Sequence, residues 1–548
     1  MSLIIGIDVG GTHADGVLIN GNTVLDKKKV SVDQHHLEEA IISLLKALVP
    51  DKKEQLSRIH LSTTLCTNAI VNNTLDRVGM LIQTGPGLNP DFFNCGPFTR
   101  FLDGAIDHRG QVIKNPSRRT IDEAIDSFRQ NDIKSVGIVT KFSHRNNIHE
   151  QQIHDRIKNR FLFVSMGHRI SGLPNFPRRV YSTWLNGALT SDFHHFQQAM
   201  QHGFTELDLS CPSAILKADG GTIPFAAAAT IPAESVHSGP SASVMGALAL
   251  HASGKDTILL DIGGTTTDIA LLAGGSPLLE PYGITIKGRP TLIRALNTTS
   301  VGLGGDSLVS HDNGTFTIGP SRSGRPMAFG GPAPTPTDAL VVTGRVTDGS
   351  VEQAEKAMYA LRADQPPLKT AEELLKSFTL QIKTEVELMI DRVFSRPVYT
   401  VAALLERKKI EPKELVAVGG PAAAIQKSLS ETFGMTTIVP EHYEVANAIG
   451  AARTRPTLQA TLYADTANGT LSIPEAGCYE QADRFFSMRD AEKRLTRAIS
   501  DMAASFGMQT LPPLDFLEPQ EMNTVSGFST SGKIIYLKAQ IRPGLQEQ

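Results

Sequence analysis

Two short stretches, 254 residues apart, carry the same set of chemically useful side chains. "IGIDVGGTHADGVLI" runs from Ile5 to Ile19 and "LLDIGGTTTDIALL" from Leu259 to Leu272. In register, Asp8 falls on Asp261, Gly10 and Gly11 on Gly263 and Gly264, Thr12 on Thr265, and Asp15 on Asp268. A carboxylate closing an apolar strand can hold a hard divalent cation directly or through its water shell. Paired glycines accept tight-turn backbone angles and let main-chain N–H groups approach an anion. The hydroxyls of Thr12, Thr265 and Thr266 add donors. One such turn is only a turn; two copies in register describe hairpins that grip a polyphosphate from both sides, with Asp8 and Asp261 on the cation. Neither copy fits GxxxxGK[ST] or GxGxxG.

A third stretch, "LVAVGGPAAAI" (Leu415 to Ile425), reads as a strand that ends in Gly419–Gly420 and opens a helix. A helix N-terminus favours phosphate, and the glycines leave room for a flat adenosine. The ligand expected from the three pieces is ATP with Mg²⁺. Asp15 or Asp268 would orient water or the nucleophile, or merely cap a hairpin.

These pieces need strands and helices to hold them. Apolar runs alternate with helical periodicity over the first 200 residues: the strand "LIIGIDVG", a hairpin turning at Gly21–Asn22, the helix "LEEAIISLLKALV", then further strand–helix units. A long, broken helix carries the lone Trp184. The middle of the chain holds the helix "SGPSASVMGALAL", the second hairpin and a segment from His311 to Pro336 rich in Gly, Pro, Ser and Arg, which reads as a long functional loop. Helices are expected at "TAEELLKSFTLQIKTEVELMIDRVF", "YTVAALLERKKI" and "YEVANAIGAARTRP". From about Leu458 a long helix lies between short strand-like pieces. The fold class expected is α/β, divided at 1–200, 201–456 and 457–548.

Composition narrows the function. The chain has 548 residues, a formal net charge of −3, 41% hydrophobic and 20% charged residues, ordinary for a globular protein. Lys and Arg are scattered, which argues against nucleic acid, and no apolar run is long enough for a membrane span. Four distant cysteines form no CxxC pair, which argues against a zinc or iron–sulfur site and against a disulfide scaffold. A cytoplasmic location is expected.

Two Asp-x-Gly-Gly-Thr hairpins followed by a strand–Gly-Gly–helix turn resemble the actin, Hsp70 and sugar-kinase ATPases. The resemblance implies two related actin-like (ribonuclease H-like) lobes with the nucleotide between them. "GLGGDSL" (Gly302 to Leu308) is similar to the loop after the second hairpin in the Hsp70 branch, which adds Gly304 and Gly305 to the nucleotide site. Over residues 3–455 the chain is similar to the A-type subunit of the hydantoinase/oxoprolinase family. The segments carrying that similarity are "STTLCTNAIVNN", "YSTWLNGAL", "ILKADGGTIPF", "SVHSGPSASVMGA" and "PTPTDALVVTGRV". The chain departs from the family at His13–Ala14, where Phe-Thr is usual, and at "RPMAFGGPAP", where Pro-Gly-Pro-x-Cys-Tyr-Gly is usual.

The resemblance implies ATP-dependent opening of a cyclic amide of the hydantoin or 5-oxoproline type by carbonyl phosphorylation, with Asp8, Asp261 and Asp268 in catalysis. It also implies a B-type partner subunit, and a homo-oligomer is a further expectation. Substrate contacts are expected from His13 beside the first phosphate turn, from His237 next to the Ser238–Gly239–Pro240 turn, and from Arg322 and Arg325, whose guanidinium groups suit a carboxylate. The alternatives are packed histidines and a solvated loop. The ATP-activating subunit of a carboxylase, and an ATP-driven reactivase or small-molecule kinase, remain open alternatives on the same residues. The histidines His144, His149, His154, His194 and His195 are read as surface or core residues.

Overall fold

The computed structural model describes residues 3–10, 13–33, 37–50, 53–395, 410–506, 508 and 510–546. It is a mixed α/β structure built on several sheets. The first hairpin, Leu3–Val9 against His13–Asn20, is antiparallel and turns into a third strand, Thr23–Ser31, at Gly21–Asn22. Leu56–Thr63 runs parallel to the first strand, and Ser213–Leu216 and Thr222–Pro224 complete a six-stranded sheet. Both faces are covered. The helix Leu37–Leu48 buries Ile41, Leu44 and Leu45 against one face, where Gly16 leaves room for Leu48 Cδ1. The helix Ala446–Arg453 lies on the other, so close that a Cβ on Gly6 would stand 2.6 Å from Ala452 Cβ.

The second hairpin repeats this plan. Thr257–Ile262 pairs antiparallel with Thr267–Ala273 and parallel with Glu414–Val418. Helices Pro336–Val342, Val351–Leu361, Pro367–Ser395 and Ala422–Phe433 cover one face, and Ser238–Leu250 covers the other. Between the two hairpin sheets the helices Ser238–Leu250 and Ala446–Arg453 cross with almost no side chain between them. A Cβ on Gly246 would collide with the Ala446 carbonyl, and one on Gly450 with the Ala242 carbonyl. Small residues permit that approach, and close packing makes it specific.

A four-stranded parallel sheet (Phe163–Met166, Ser135–Thr140, Val78–Gln83, Thr99–Phe101) occupies the remainder of the first 200 residues. The predicted long helix is two, Phe176–Ala188 and Thr190–Glu206, broken at Leu189. The tail forms an antiparallel five-stranded sheet with the helix Met488–Ser505 against it, started by a capping box from Ser487 and Asp490.

Two expectations change, and one helix is added. The segment from His311 to Pro336 is not all loop: Val309–Asp312 and Thr315–Ile318 form a hairpin. The helix that begins at Pro336 is set by Thr335 and Asp338, each capping the other's backbone, which is a capping-box signature. The tail strands are not all short, since Leu514–Ser526 and Ser529–Ile541 are 13 residues each. Most of the helix expected at "YTVAALLERKKI" lies outside the described residues. No helix among the described residues is long and apolar enough to cross a membrane.

Candidate functional site

The two turns close identically. Gly10 N donates to His13 O at 3.0 Å, and Gly263 N donates to Thr266 O at 2.9 Å. Asp8 faces Asp15 across the first hairpin, and Asp261 faces Asp268 across the second. Those two glycine N–H groups are therefore committed to the turns. Donation to an anion from the second tip falls to Gly264, Thr265 and Thr266. The matching donors of the first, Gly11 and Thr12, lie outside the described residues.

The aspartates sit where the sheets meet the crossing helices. Asp8 is 8% exposed. Asp261 Oδ2 accepts from Ser243 Oγ at 2.5 Å and from Asn447 Nδ2 at 3.2 Å, one donor from each crossing helix. Burial pushes the Asp8 carboxyl up to about 7, with Asp15 and Asp261 adding to it and Ser62 and Asn447 opposing. Burial likewise pushes Asp268 up to about 7, helped by Asp261 and Asp8. Asp261 is raised by burial against the bonds from Ser243 and Asn447. Asp8, Asp261 and Asp268 are thus each raised in part by a neighbouring hairpin carboxylate, which puts them in one electrostatic neighbourhood with Asp15.

The acidic pairs are not equivalent. Asp15 is engaged by Lys29 across the adjoining strand at 3.1 Å. Among the described residues no cation pairs with Asp268; its Oδ1 is buried without a hydrogen-bond partner, as are Asp8 Oδ1 and Asp15 Oδ1. A small cavity of about 10 Å³ touches both Asp261 and Asp268, room for about one water. Of the two residues considered for orienting water, Asp15 is neutralised by Lys29, whereas Asp268 borders the small cavity and pairs with no cation among the described residues.

This donor set fits Mg²⁺. The ion takes oxygen ligands, keeps several waters and is bound through one or two carboxylates plus phosphates. Asp8 and Asp261 are hard donors in a neighbourhood short of positive charge, with Asp8 Oδ1 unpartnered.

The glycine loop Gly302–Gly305 is zipped onto the second tip. Gly305 N donates to Gly263 O at 2.9 Å and Asp306 N to Gly264 O at 2.6 Å. Arg322 pairs with Asp306 at 2.8 Å and reaches Thr265 Oγ1 at 3.3 Å. The predicted substrate arginine Arg322 thus sits at the second hairpin tip, its guanidinium already on a carboxylate, while Arg325 is exposed. Gly419, at φ +89°, packs its backbone on the hairpin, where a Cβ would meet the Ile262 carbonyl and stand 2.5 Å from Asp261 Oδ1. A Cβ on Gly420 would meet nothing within 4 Å, so that face of the turn is open.

His13 is exposed beside Asp15. His237 is half-buried and left-handed at φ +61°, directly before the helix Ser238–Leu250, with its N–H donated to Thr67 Oγ1 at 3.0 Å. A non-glycine residue held at that angle carries strain. His149 bonds Gln83 and stays within the four-stranded sheet's core. Ser243 and Asn447, which hold Asp261, were not singled out in the sequence. The only signal was the small-residue pattern of their helices.

Family models match at both ends of the similar region. The hydantoinase/oxoprolinase N-terminal region matches residues 4–161, and hydantoinase/oxoprolinase matches residues 179–459. The caprolactamase subunit alpha of Pseudomonas jessenii is 26% identical over 384 residues, covering 63% of this chain and 55% of the relative. The 5-oxoprolinase of Saccharomyces cerevisiae is 24% identical over 410 residues, covering 62% of this chain and 32% of the relative. The chain thus matches about half the length of the first relative and a third of the second. The crystal structure of the ATP-dependent caprolactamase from Pseudomonas jessenii superposes with a TM-score of 0.74 at 18% identity, covering 100% of this chain and 89% of that one, so the fold is shared. With both models spanning the hairpins and turns described above, the chain belongs to the hydantoinase/oxoprolinase family.

Proposed function

We propose that this chain cleaves ATP between its two hairpins and uses the phosphoryl group to open a cyclic amide. The two hairpin sheets would be the lobes of an actin-like ATPase. The observation that carries the reading is the pair of register-matched aspartates, Asp8 and Asp261, with Asn447 set between their hairpins.

An unstrained cyclic amide is a poor electrophile. Transfer of the γ-phosphoryl of ATP to the amide oxygen releases ADP and converts that oxygen into a leaving group. Water then attacks the same carbon, the C–N bond breaks as the ring nitrogen takes a proton, and the ring-opened product is an acyl phosphate. A second water hydrolyses it, releasing phosphate and leaving an amino carboxylate. Mg²⁺, held by Asp8 and Asp261 through its waters, would supply charge neutralisation on the phosphate oxygens. The N–H groups of Gly264 and Thr265 and the Thr265 and Thr266 hydroxyls face the developing charge, the main need in phosphoryl transfer. Arg322 holds the second tip in place through Asp306 and Thr265. Asp268 Oδ1 orients the attacking water and accepts its proton, a role suited to a carboxyl whose pKa lies near neutral. Gly420 leaves space for the adenosine.

The family's B-type subunit is the proposed partner, in line with a relative that is itself a subunit. The test is ADP release from purified chain, with and without a B-type subunit, across hydantoin, 5-oxoproline and caprolactam. Stimulation by a cyclic amide, abolished by Asp8→Ala and by Asp261→Ala, is expected. Turnover that requires bicarbonate and a ketone would assign a carboxylase subunit instead. Turnover indifferent to all small molecules would assign a reactivase.

A further inference from the structure

A second cavity, of about 380 Å³, lies where three parts of the chain meet and touches none of the four hairpin aspartates. Phe163 comes from the four-stranded sheet and Ile231 and Leu292 from the middle of the chain. Leu458, Met502 and Phe506 come from the tail. These side chains form an apolar wall. The polar wall is Lys217, Asp219, Arg294, Glu234, Arg169 and Glu475. A volume near the small end of ligand pockets, mostly apolar with a few convergent polar groups, is the usual form of a small-molecule site.

Counting donors and acceptors gives the sign of the ligand. Asp219 is filled by the protein. Thr457 Oγ1 donates to it at 2.8 Å and Gly221 N at 2.9 Å, and it pairs with Arg294 at 3.1 Å and Lys217 at 3.5 Å. Glu475 is also filled, by Gly172 N at 2.9 Å, Thr461 N at 3.0 Å and Thr461 Oγ1 at 3.0 Å. Among the described residues the cations are not filled. Lys217 has three N–H groups and two carboxylate neighbours, Asp219 and Glu234, the latter at 3.2 Å. Arg294, with five N–H groups, is engaged by Asp219 and by Gln540 Oε1 at 2.7 Å. Arg169 makes one long bond, 3.4 Å, to the Glu475 carbonyl. Burial acts to lower the Lys217 ammonium, but Asp219 and Glu234 outweigh it and leave it raised, so it is charged at neutral pH. Glu234 is the one carboxylate with spare acceptor sites, met only by Lys217 among the described residues. The uncommitted N–H groups of Lys217, Arg294 and Arg169 outnumber those sites, so the surplus in this pocket is of donors on cations, set above an apolar wall.

We infer that this cavity binds a small amphipathic carboxylate, with its charge on Lys217, Arg294 and Arg169 and its hydrocarbon part against Ile231, Leu292 and Phe506. The inference does not rest on the cyclic-amide reading. It gives the tail a function, since Leu458, Glu475, Met502 and Phe506 close the pocket. The turn that carries Lys217 and Asp219 hangs from the helix Ser238–Leu250, because Ser241 Oγ donates to the Ala218 carbonyl at 2.6 Å. The same helix holds Asp261 through Ser243.

The test is calorimetric titration of the full chain with hexanoate, hexylammonium and 1-hexanol, which share a hydrocarbon chain and differ in charge. Hexanoate is expected to bind at one site and at least about tenfold more tightly than the other two. Ile231→Trp, which fills the cavity, and Arg169→Met, which removes a cation outside the Asp219 network, should each weaken hexanoate about tenfold or more while ATP binding persists. Should the tryptophan variant fail to fold, the methionine variant decides alone. Equal binding of the three probes, or hexanoate affinity unchanged in a folded variant, overturns the assignment.

Discussion

Asn447 donates its Nδ2 to Asp261 Oδ2 at 3.2 Å across 186 residues of sequence. The same amide lowers the proton affinity of Asp8 on the other hairpin. One neutral side chain on a crossing helix thus serves carboxylates from both repeats. Outer-shell partners of this kind typically change metal affinity or activity 10–100-fold. Asn447→Ala should therefore raise the Mg²⁺ concentration for half-maximal ATP turnover about tenfold or more, with the circular dichroism spectrum retained. An unchanged Mg²⁺ dependence would remove Asn447 from the site.

The raised carboxyls make stability depend on pH in a defined direction. In the folded chain Asp8 and Asp268 keep their protons up to about 7, against 3.8 when unperturbed. Between those values the folded state binds more protons than the unfolded one. The stability they contribute is full below pH 4 and is lost as pH rises through 7. His60, lowered to about 4 by burial, works in the opposite sense up to the ordinary histidine range. The informative quantity is accordingly the difference between wild type and Asp8→Asn. The variant should be the more stable at pH 8 without Mg²⁺, by about 1–3 kcal/mol, and the gap should close toward pH 4. Urea unfolding at both pH values checks it; a gap independent of pH would contradict the burial of Asp8.

The same groups tie cation binding to protons. A carboxyl that titrates near 7 must lose its proton before it serves as a ligand. Mg²⁺ affinity in the presence of ADP should rise between pH 6 and 8, with proton release visible as a dependence of titration heat on buffer ionisation enthalpy. Asp8→Asn should remove most of that release. Mg²⁺ binding without proton uptake or release would place the ion elsewhere.

What was legible in the chain is what local chemistry encodes. The hairpins, the Gly21–Asn22 turn and the Gly419–Gly420 turn each need a few adjacent residues, so their types and order reveal them. The helices Pro336–Val342 and Val351–Leu361 were hidden by neighbouring Gly and Pro, although Thr335 with Asp338 is a readable capping box. The strand Leu514–Ser526 is largely exposed, so it lacks the apolar alternation that marks a half-buried strand. Asn447 and Ser243 were invisible for a different reason: they act on Asp261 from helices brought together only by the fold. Arg322 had the right chemistry, but no local pattern tells whether a guanidinium meets a substrate or Asp306.

The helix crossing that carries Ser243 and Asn447 should be intolerant of any side chain at its centre. A Cβ at Gly246 would strike the Ala446 carbonyl, and backbone on both sides leaves nothing flexible to yield. Gly246→Ala and Gly450→Ala should each destabilise by about 1–3 kcal/mol, the usual range for overpacking. Gly254→Ala, where nothing lies within 4 Å but φ is +68°, separates backbone strain from collision and should cost about 1 kcal/mol. Thermal denaturation of the three variants distinguishes them. A Gly246→Ala chain as stable as wild type would mean that the helices do not meet as described.

The adjacent glycines Gly419 and Gly420, proposed to face the adenosine, should separate folding from binding. Gly419 is at φ +89°, and an alanine there would bring its Cβ to 2.5 Å from Asp261 Oδ1. The left-handed angle costs an L-residue roughly 1–2 kcal/mol, and the collision adds to it, so Gly419→Ala should lower both stability and ATP turnover. Gly420 has neither constraint, because its φ is not in the left-handed region and open space surrounds the Cβ position. Gly420→Ala should leave the melting temperature unchanged yet weaken ATP about tenfold or more, because the added methyl occupies the space assigned to the adenosine. Nucleotide affinity and thermal stability measured on both variants give the comparison. If Gly420→Ala binds ATP as tightly as wild type, the adenosine lies elsewhere, even should the two hairpins still hold the phosphates.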